Sequence, residues 1–233
     1  MKLAIIGNGA MGKLVRTLAT DDGHEIGRII TSHDASREMD DLVEILGGHD
    51  AAIDFSVADA VLKNIEAAAR ACVPLVEGTT GWNAVEAEAR RLVAEHAGAL
   101  VFGANFSVGV NLFYRIVARA AELFAATDYA PFIEEAHHAR KRDAPSGTAL
   151  KLQDVMAAAL ARAVPVASTR AGHIPGTHRV GFDSAADQIT LTHTARTREG
   201  FAAGALLAAR WIKGKRGVYE FSEVIDRIVT GDE

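Results

Sequence analysis

Residues 134–149, Glu-Glu-Ala-His-His-Ala-Arg-Lys-Arg-Asp-Ala-Pro-Ser-Gly-Thr-Ala, bring two histidines, a lysine and a hydroxyl-rich turn into one short stretch. Imidazoles titrate near neutrality and an ammonium carries charge, so such a cluster can move protons and hold anions. Adjacent histidines on a strand point to opposite faces, so at most one of His137 and His138 faces the core. Ser146-Gly147-Thr148 reads as a helix start. Its hydroxyls and free backbone N–H groups make a carboxylate site, and Gly147 allows close approach. The whole reads as a pocket for a small acidic substrate beside proton donors. The plainer reading is a solvated loop followed by an ordinary cap. No metal is expected, because adjacent histidines converge poorly on one ion and Arg140 and Lys141 are cationic.

A second constellation is Gly7-Asn8-Gly9-Ala10-Met11-Gly12, directly after a strand-like run and opening a helical pattern. Gly7 permits a tight turn, Gly9 lets the backbone approach a pyrophosphate, and Gly12 lets helix and strand pack closely. The alternative is a tight turn and nothing more. Asp34 lies near the distance at which an acidic residue binds the ribose hydroxyls, whereas Lys13, Ser32, His33 and Arg37 would surround a 2′-phosphate. The residues leave NADH or NADPH open. Glu77-Gly78-Thr79-Thr80-Gly81 is either a loop passing close to a flat ring or a turn with Thr80 as a cap. Phe102-Gly103-Ala104-Asn105-Phe106-Ser107 is a similar strand end at the same sheet edge.

The elements that must position these groups alternate at first. Strands are expected at residues 2–6, 25–31, 51–55, 75–77 and 100–102, with helices at 10–20, 59–71 and 85–97. Short apolar strands separated by helices imply a Rossmann-type, doubly wound parallel sheet of the α/β class, binding ligands at the strands' carboxyl ends. The rhythm then changes. Helix 110–124 leads to a strand at 129–137, helix 148–163, and extended stretches at 166–171, 178–183 and 188–195. Consecutive strands suggest a second α+β domain with a mixed or antiparallel sheet. A small-residue helix at 200–213 and a last short strand and helix follow. The division expected is a dinucleotide-binding domain at 1–107, completed by 205–233, and a substrate-binding and oligomerisation domain at 108–204.

The chain of 233 residues carries a net charge of −5 and no basic run, so nucleic acid is not an expected partner. No apolar stretch is long enough to span a membrane. Met1 leads straight into a strand-like run without a signal-peptide pattern, so a cytoplasmic location is expected. Cys72, the single cysteine, falls in an apolar helical pattern and reads as a buried small hydrophobe.

The run His-His-x-x-Lys-x-Asp-x-Pro-Ser-Gly-Thr-Ala at 137–149 closely resembles the signature of the dihydrodipicolinate reductase family. The resemblance extends through the glycine turn, Gly78-Thr79-Thr80-Gly81, Ala104-Asn105-Phe106-Ser107, Arg170-Ala171-Gly172 with Pro175-Gly176, and residues 193–198. It implies hydride transfer from NADH or NADPH to a small cyclic dicarboxylate, 4-hydroxy-tetrahydrodipicolinate, with loss of water, in lysine and diaminopimelate biosynthesis. Carried over by position, His137 matches the family's proton donor/acceptor and Lys141 its proton donor. His138 matches a substrate contact and Gly147 with Thr148 the carboxylate-binding turn. From the residues themselves, Ser146 at the helix start and Arg198 are further substrate contacts, with Arg196 an equal candidate to Arg198. Gly7, Asn8, Gly9, Ala10, Met11, Gly12, Ser32, Gly78, Thr79, Thr80, Gly103, Ala104, Asn105 and Phe106 fall at cofactor contacts. A homotetramer is implied as well. The chain departs from the family in its tighter glycine turn, its shorter length and the lack of an acidic residue at the end of the second strand. Rival readings are a related dehydrogenase of another small acid and a non-catalytic nucleotide-binding redox sensor.

Overall fold

The computed structural model describes residues 1–231, and residues 232–233 of the expected C-terminal segment lie outside them. The chain forms two compact units, residues 1–107 with 199 onward, and residues 108–198. The return to the first unit falls at Glu199, not at the expected 205, because Glu199–Ile212 is one helix and belongs to that unit as a whole.

In the first unit the strands are β1 (Lys2–Ile6), β2 (Glu25–Ile30), β3 (Ala51–Asp54), β4 (Leu75–Glu77) and β5 (Ala99–Phe102). Every residue of β3, β4 and β5 is buried, the pattern of strands covered on both faces. The intervening helices are α1 (Ala10–Asp21), α2 (Ser32–Ala35), α3 (Met39–Leu46), α4 (Val61–Arg70) and α5 (Glu86–Glu95). Helix α3 was not expected from the sequence. It spans only eight residues and its N-cap, Glu38, makes no side-chain cap bond, so its start carries little signal; it is held by burial of Leu42 and Leu46. Cys72 is exposed, not buried, because α4 ends at Arg70 and the chain leaves with Cys72 at φ +54°.

The second unit holds α6 (Val108–Phe124), β6 (Ala130–His137), α7 (Gly147–Leu160), β7 (Val166–Arg170), β8 (Thr177–Asp183) and β9 (Gln188–Thr194). Helix α8 (Glu199–Ile212), β10 (Gly217–Glu220) and α9 (Phe221–Thr230) then complete the first. The first sheet runs β10-β5-β4-β3-β1-β2, parallel throughout; the second runs β7-β6-β8-β9. The second is mixed, since β6 pairs parallel with β7 and antiparallel with β8. Ile133, Val180, Phe182 and Leu191 pack its inner face against α6 and α7, with Phe124 stacked on Phe182 at 4.3 Å. No helix among the described residues is long and apolar enough to cross a membrane.

Candidate active site

In the first unit, loops following β1, β3, β4 and β5 share the carboxyl edge of the sheet. Gly7 sits at φ +96°, where a Cβ would come within 2.3 Å of the Phe55 carbonyl oxygen, and a Cβ on Gly12 would meet the Gly7 carbonyl oxygen at 2.1 Å. Side chains are excluded at both by the turn itself. A Cβ on Gly9 would meet nothing within 4 Å, and as N-cap of α1 it makes no side-chain cap bond. Open space over an uncapped helix start, flanked by exposed Asn8 and Ala10 and half-buried Met11, fits the pyrophosphate of a dinucleotide.

The loop after β4 is fixed through Thr79. Its hydroxyl accepts from the Ser56 N–H (3.0 Å), its N–H donates to Glu77 Oε1 (2.7 Å), and its carbonyl accepts from Trp82 Nε1 (2.9 Å). Thr80 is exposed and caps no helix, which removes the capping alternative; the 3-10 turn that follows has Trp82 at its N-cap. After β5 come Gly103 and exposed Ala104, and Asn105 Oδ1 accepts from the Ser107 N–H (2.9 Å). Phe106 is 2 % exposed and packs on Phe55 and Phe221.

Exposed Ser32 opens α2, and the end of β2 answers part of the question left open there. Asp34 is buried and engaged on both oxygens: Oδ2 accepts from Thr31 N and Oγ1 at 3.0 Å each, and Oδ1 meets Arg28 and Arg37 at 3.3 Å. The Thr31 backbone bond, then its hydroxyl and Arg28, hold the carboxyl down at about 2 against its burial. Asp34 is thus a local capping-box acid. The two half-exposed guanidinium groups leave a net positive balance around it.

In the second unit, strand register builds the site. Residues two apart on a strand share a face, so Glu135 and His137 lie together on β6, and Glu135 Oε2 meets His137 Nδ1 at 2.5 Å. Glu135 is directly opposite His178 on β8, and His178 is opposite His193 on β9. His137 is opposite Arg170 on β7. The row continues the inner, apolar face at the end that meets the start of α7. Arg170 donates to both Glu135 oxygens (2.9 and 2.7 Å) and to the Asp143 carbonyl (2.6 Å), tying the loop after β6 to the sheet.

These contacts set the charges. Burial alone would raise the Glu135 carboxyl, but Arg170, Ser168 and His137 bring it down to about 2. Burial lowers His137 from its ordinary value, and the Glu135 carboxylate works against that. His178, buried beside His137, is pushed down to about 4 and is neutral at physiological pH. Lys141 pairs with Asp143 at 2.8 Å and lies near enough to depress both His137 and His178. Partly buried His138 keeps Nδ1 without a hydrogen-bond partner, while its carbonyl accepts from the Lys141 N–H (3.0 Å).

Ser146, expected among the substrate contacts, is placed as the N-cap of α7. It is 3 % exposed, caps α7 through the Ala149 N–H (3.2 Å) and bonds His178 Nε2 (3.0 Å). The outward part of the turn is Gly147, exposed and with open space at its Cβ position, followed by Thr148, which is bonded to Tyr114. Arg196 and Arg198 follow β9, both exposed and neither in an ion pair among the described residues. Glu135, His137 and His178 place ligand atoms within 4.8 Å of one another, a spacing a metal could use. Arg170 and His137 already occupy the Glu135 oxygens, however, and a cation there would face two more, Arg170 and Lys141. Sequence reasoning gave no role to Glu135 or His178. The spacing of Glu135 two residues before His137 was a readable signal; the pairing with His178 was not.

Comparison with known proteins follows the same division. The family profile described as dihydrodipicolinate reductase, N-terminus, matches residues 1–106, and that described as dihydrodipicolinate reductase, C-terminus, matches residues 109–225. The 4-hydroxy-tetrahydrodipicolinate reductase of Christiangramia forsetii is 34 % identical over 97 % of this chain and 98 % of its own. That of Anaeromyxobacter dehalogenans is 36 % identical over 94 % of this chain and 84 % of its own. The solved structure of dipicolinate-bound dihydrodipicolinate reductase from Paenisporosarcina sp. TG-14 superposes with a TM-score of 0.80 at 18 % identity, covering 96 % of this chain and 99 % of that one. At that identity the likeness concerns the fold.

Proposed function

The chain belongs to the dihydrodipicolinate reductase family, and from that premise we propose how its own residues carry the reaction: reduction of 4-hydroxy-tetrahydrodipicolinate to tetrahydrodipicolinate with loss of water, using NADH or NADPH, in lysine and diaminopimelate biosynthesis. The observation that carries the proposal is the hydrogen-bonded row Arg170–Glu135–His137, set at the start of α7 beside Lys141.

The dinucleotide, held by 7–12, 78–80 and 103–106, supplies the hydride. Its addition to a conjugated imine-type acceptor builds negative charge that a positioned acid must quench. His137 suits that role because Nδ1 is anchored on Glu135, which leaves Nε2 to hold or release the proton. Lys141, as an ammonium, stabilises the developing charge and donates in turn. The open turn at Gly147–Thr148 receives one substrate carboxylate, and Arg198 or Arg196 supplies a cation for the other. Ser146 and His178 hold that turn on the sheet. The same proposal includes a cytoplasmic homotetramer built through the second sheet, whose outer strand β9 is largely exposed; light scattering of the purified chain tests the assembly.

Steady-state oxidation of each reduced dinucleotide, with substrate formed in situ by the preceding synthase, tests the activity. Rapid dicarboxylate-dependent oxidation is expected. A folded protein that oxidises neither dinucleotide and fails to bind pyridine-2,6-dicarboxylate overturns the proposal in favour of a sensor.

A further inference from the structure

Two acids of the first unit have no place in the proposed chemistry. Asp54 ends β3 and Glu77 ends β4; they are opposite each other in the parallel register, and each is 0 % exposed. They share the sheet face of Ala52 and Leu75, the side covered by α4. Each carboxyl is half satisfied. Asp54 Oδ2 accepts from Asn64 Nδ2 (2.7 Å), and Glu77 Oε1 accepts from the Thr79 N–H (2.7 Å). The other oxygens, Asp54 Oδ1 and Glu77 Oε2, have no donor among the described residues. The groups facing the pair are Asn64 on α4 and Ser56 and Thr79 on the loops, all neutral. Neither acid has an ion-pair partner among the described residues.

Two buried carboxylates side by side without a cation are strongly disfavoured. One proton placed between the two donorless oxygens removes one charge and satisfies both acceptors. We propose that Asp54 and Glu77 share a single proton, and that this pair is a positioning element which holds the cofactor loop at Thr79. The second half rests on the reading of residues 78–80 as a dinucleotide site. The direction of the shifts agrees: burial, then the Asp54 charge, raises Glu77 well above the usual carboxylate range, and burial raises Asp54.

The pair lies directly beneath the loop machinery. Glu77 fixes Thr79, whose hydroxyl fixes the Ser56 N–H, and Asn64 spans Asp54 and the Ser56 hydroxyl. The loops after β3 and β4 are therefore joined through one protonated pair. Glutamine at position 77 reproduces the shared-proton state: its amide donates to Asp54, its carbonyl accepts from Thr79, and the net charge stays the same. Leucine fills the space without either bond.

The test compares the full chain with Glu77→Gln, Asp54→Asn and Glu77→Leu. Folding of the parent takes up a proton above the ordinary carboxylate pKa, so its thermal midpoint should fall relative to that of Glu77→Gln as pH rises from about 5 to about 8. Parallel curves would overturn the shared proton. Direct titration with NADPH by fluorescence should give binding within about threefold of the parent for the Gln and Asn variants, and about tenfold weaker for Leu, with kcat nearly unchanged. Equal binding by Leu and Gln would overturn the positioning role. If the Leu variant does not fold, a loss of NADPH binding in either amide variant overturns it instead. A parent that binds neither dinucleotide removes the cofactor reading, while the thermal curves still decide the proton.

Discussion

The two sheets solve the problem of a buried polar edge in opposite ways. The first builds its ligand edge from main chain: Gly7 and Gly12 admit no side chain, Gly9 stands open, and the two buried acids beneath have no ion-pair partner among the described residues. The second builds its edge from side chains in register, where Arg170 and Glu135 form an ion pair and His137 is bonded to the same carboxylate. A main-chain edge suits a ligand recognised by shape and phosphate, whereas a hydrogen-bonded row suits proton movement. Substitutions in the second sheet should therefore act on turnover, and those in the first on dinucleotide binding.

The widest separation is expected at the proton groups. His137→Gln or Lys141→Ala should lower kcat by about 10²- to 10⁴-fold, with dinucleotide affinity changed less than about threefold. Steady-state kinetics with a parallel fluorescence titration would check this. Wild-type turnover in either variant would remove its proton role.

Glu135→Gln comes next, at about 10- to 100-fold in kcat, because it frees the His137 ring and leaves Arg170 without its partner. The Glu135 carboxylate opposes the burial that lowers His137. Without it the His137 pKa falls further, so the limb of the kcat/KM profile on which a proton donor is lost with rising pH should move to lower pH. The same change has a stability signature. Glu135 is held at about 2 when folded, so its carboxylate stabilises the fold above the ordinary range and that contribution is lost as pH falls from about 4.5 toward 2. Acid unfolding followed by circular dichroism should show that loss in the parent and not in the variant.

Why this row escaped the sequence reading is physical. Glycine spacing is local, and the central strands β3, β4 and β5 are short runs whose residues are all buried, so the first sheet was legible almost strand by strand. Glu135, His178 and His193 meet only once the antiparallel register of β6, β8 and β9 is fixed, and nothing local encodes that register. Ser146 was legible as the start of α7, but its burial against His178 was not. Cys72 misled for a related reason: the apolar pattern of α4 continues past the point where the backbone turns out.

Thr148→Val tests the substrate side of the second sheet. It should raise the Michaelis constant for the dicarboxylate about tenfold, by loss of one donor, and leave that for the dinucleotide unchanged. Initial rates with each substrate varied in turn would separate the two, and an effect confined to the dinucleotide would contradict the placement of the anion site.

The smallest effect expected is one of selectivity within the first sheet. Because Asp34 is engaged on both oxygens by Thr31, Arg28 and Arg37, its carboxylate is not available to accept from ribose hydroxyls, while the two guanidinium groups remain half exposed. A 2′-phosphate would add a second anion to two cations that now share one, so NADPH should be favoured over NADH by a few-fold. Arg37→Ala should narrow that ratio by lowering kcat/KM for NADPH alone, and added salt should narrow it in the parent in the same direction. Equal loss with both dinucleotides would mean that Arg37 serves the fold of α2 rather than the ligand. Unchanged NADH efficiency on Asp34→Ala would support the reading, since an acid that only anchors arginines has no ribose contact to lose, whereas a selective fall with NADH would overturn it.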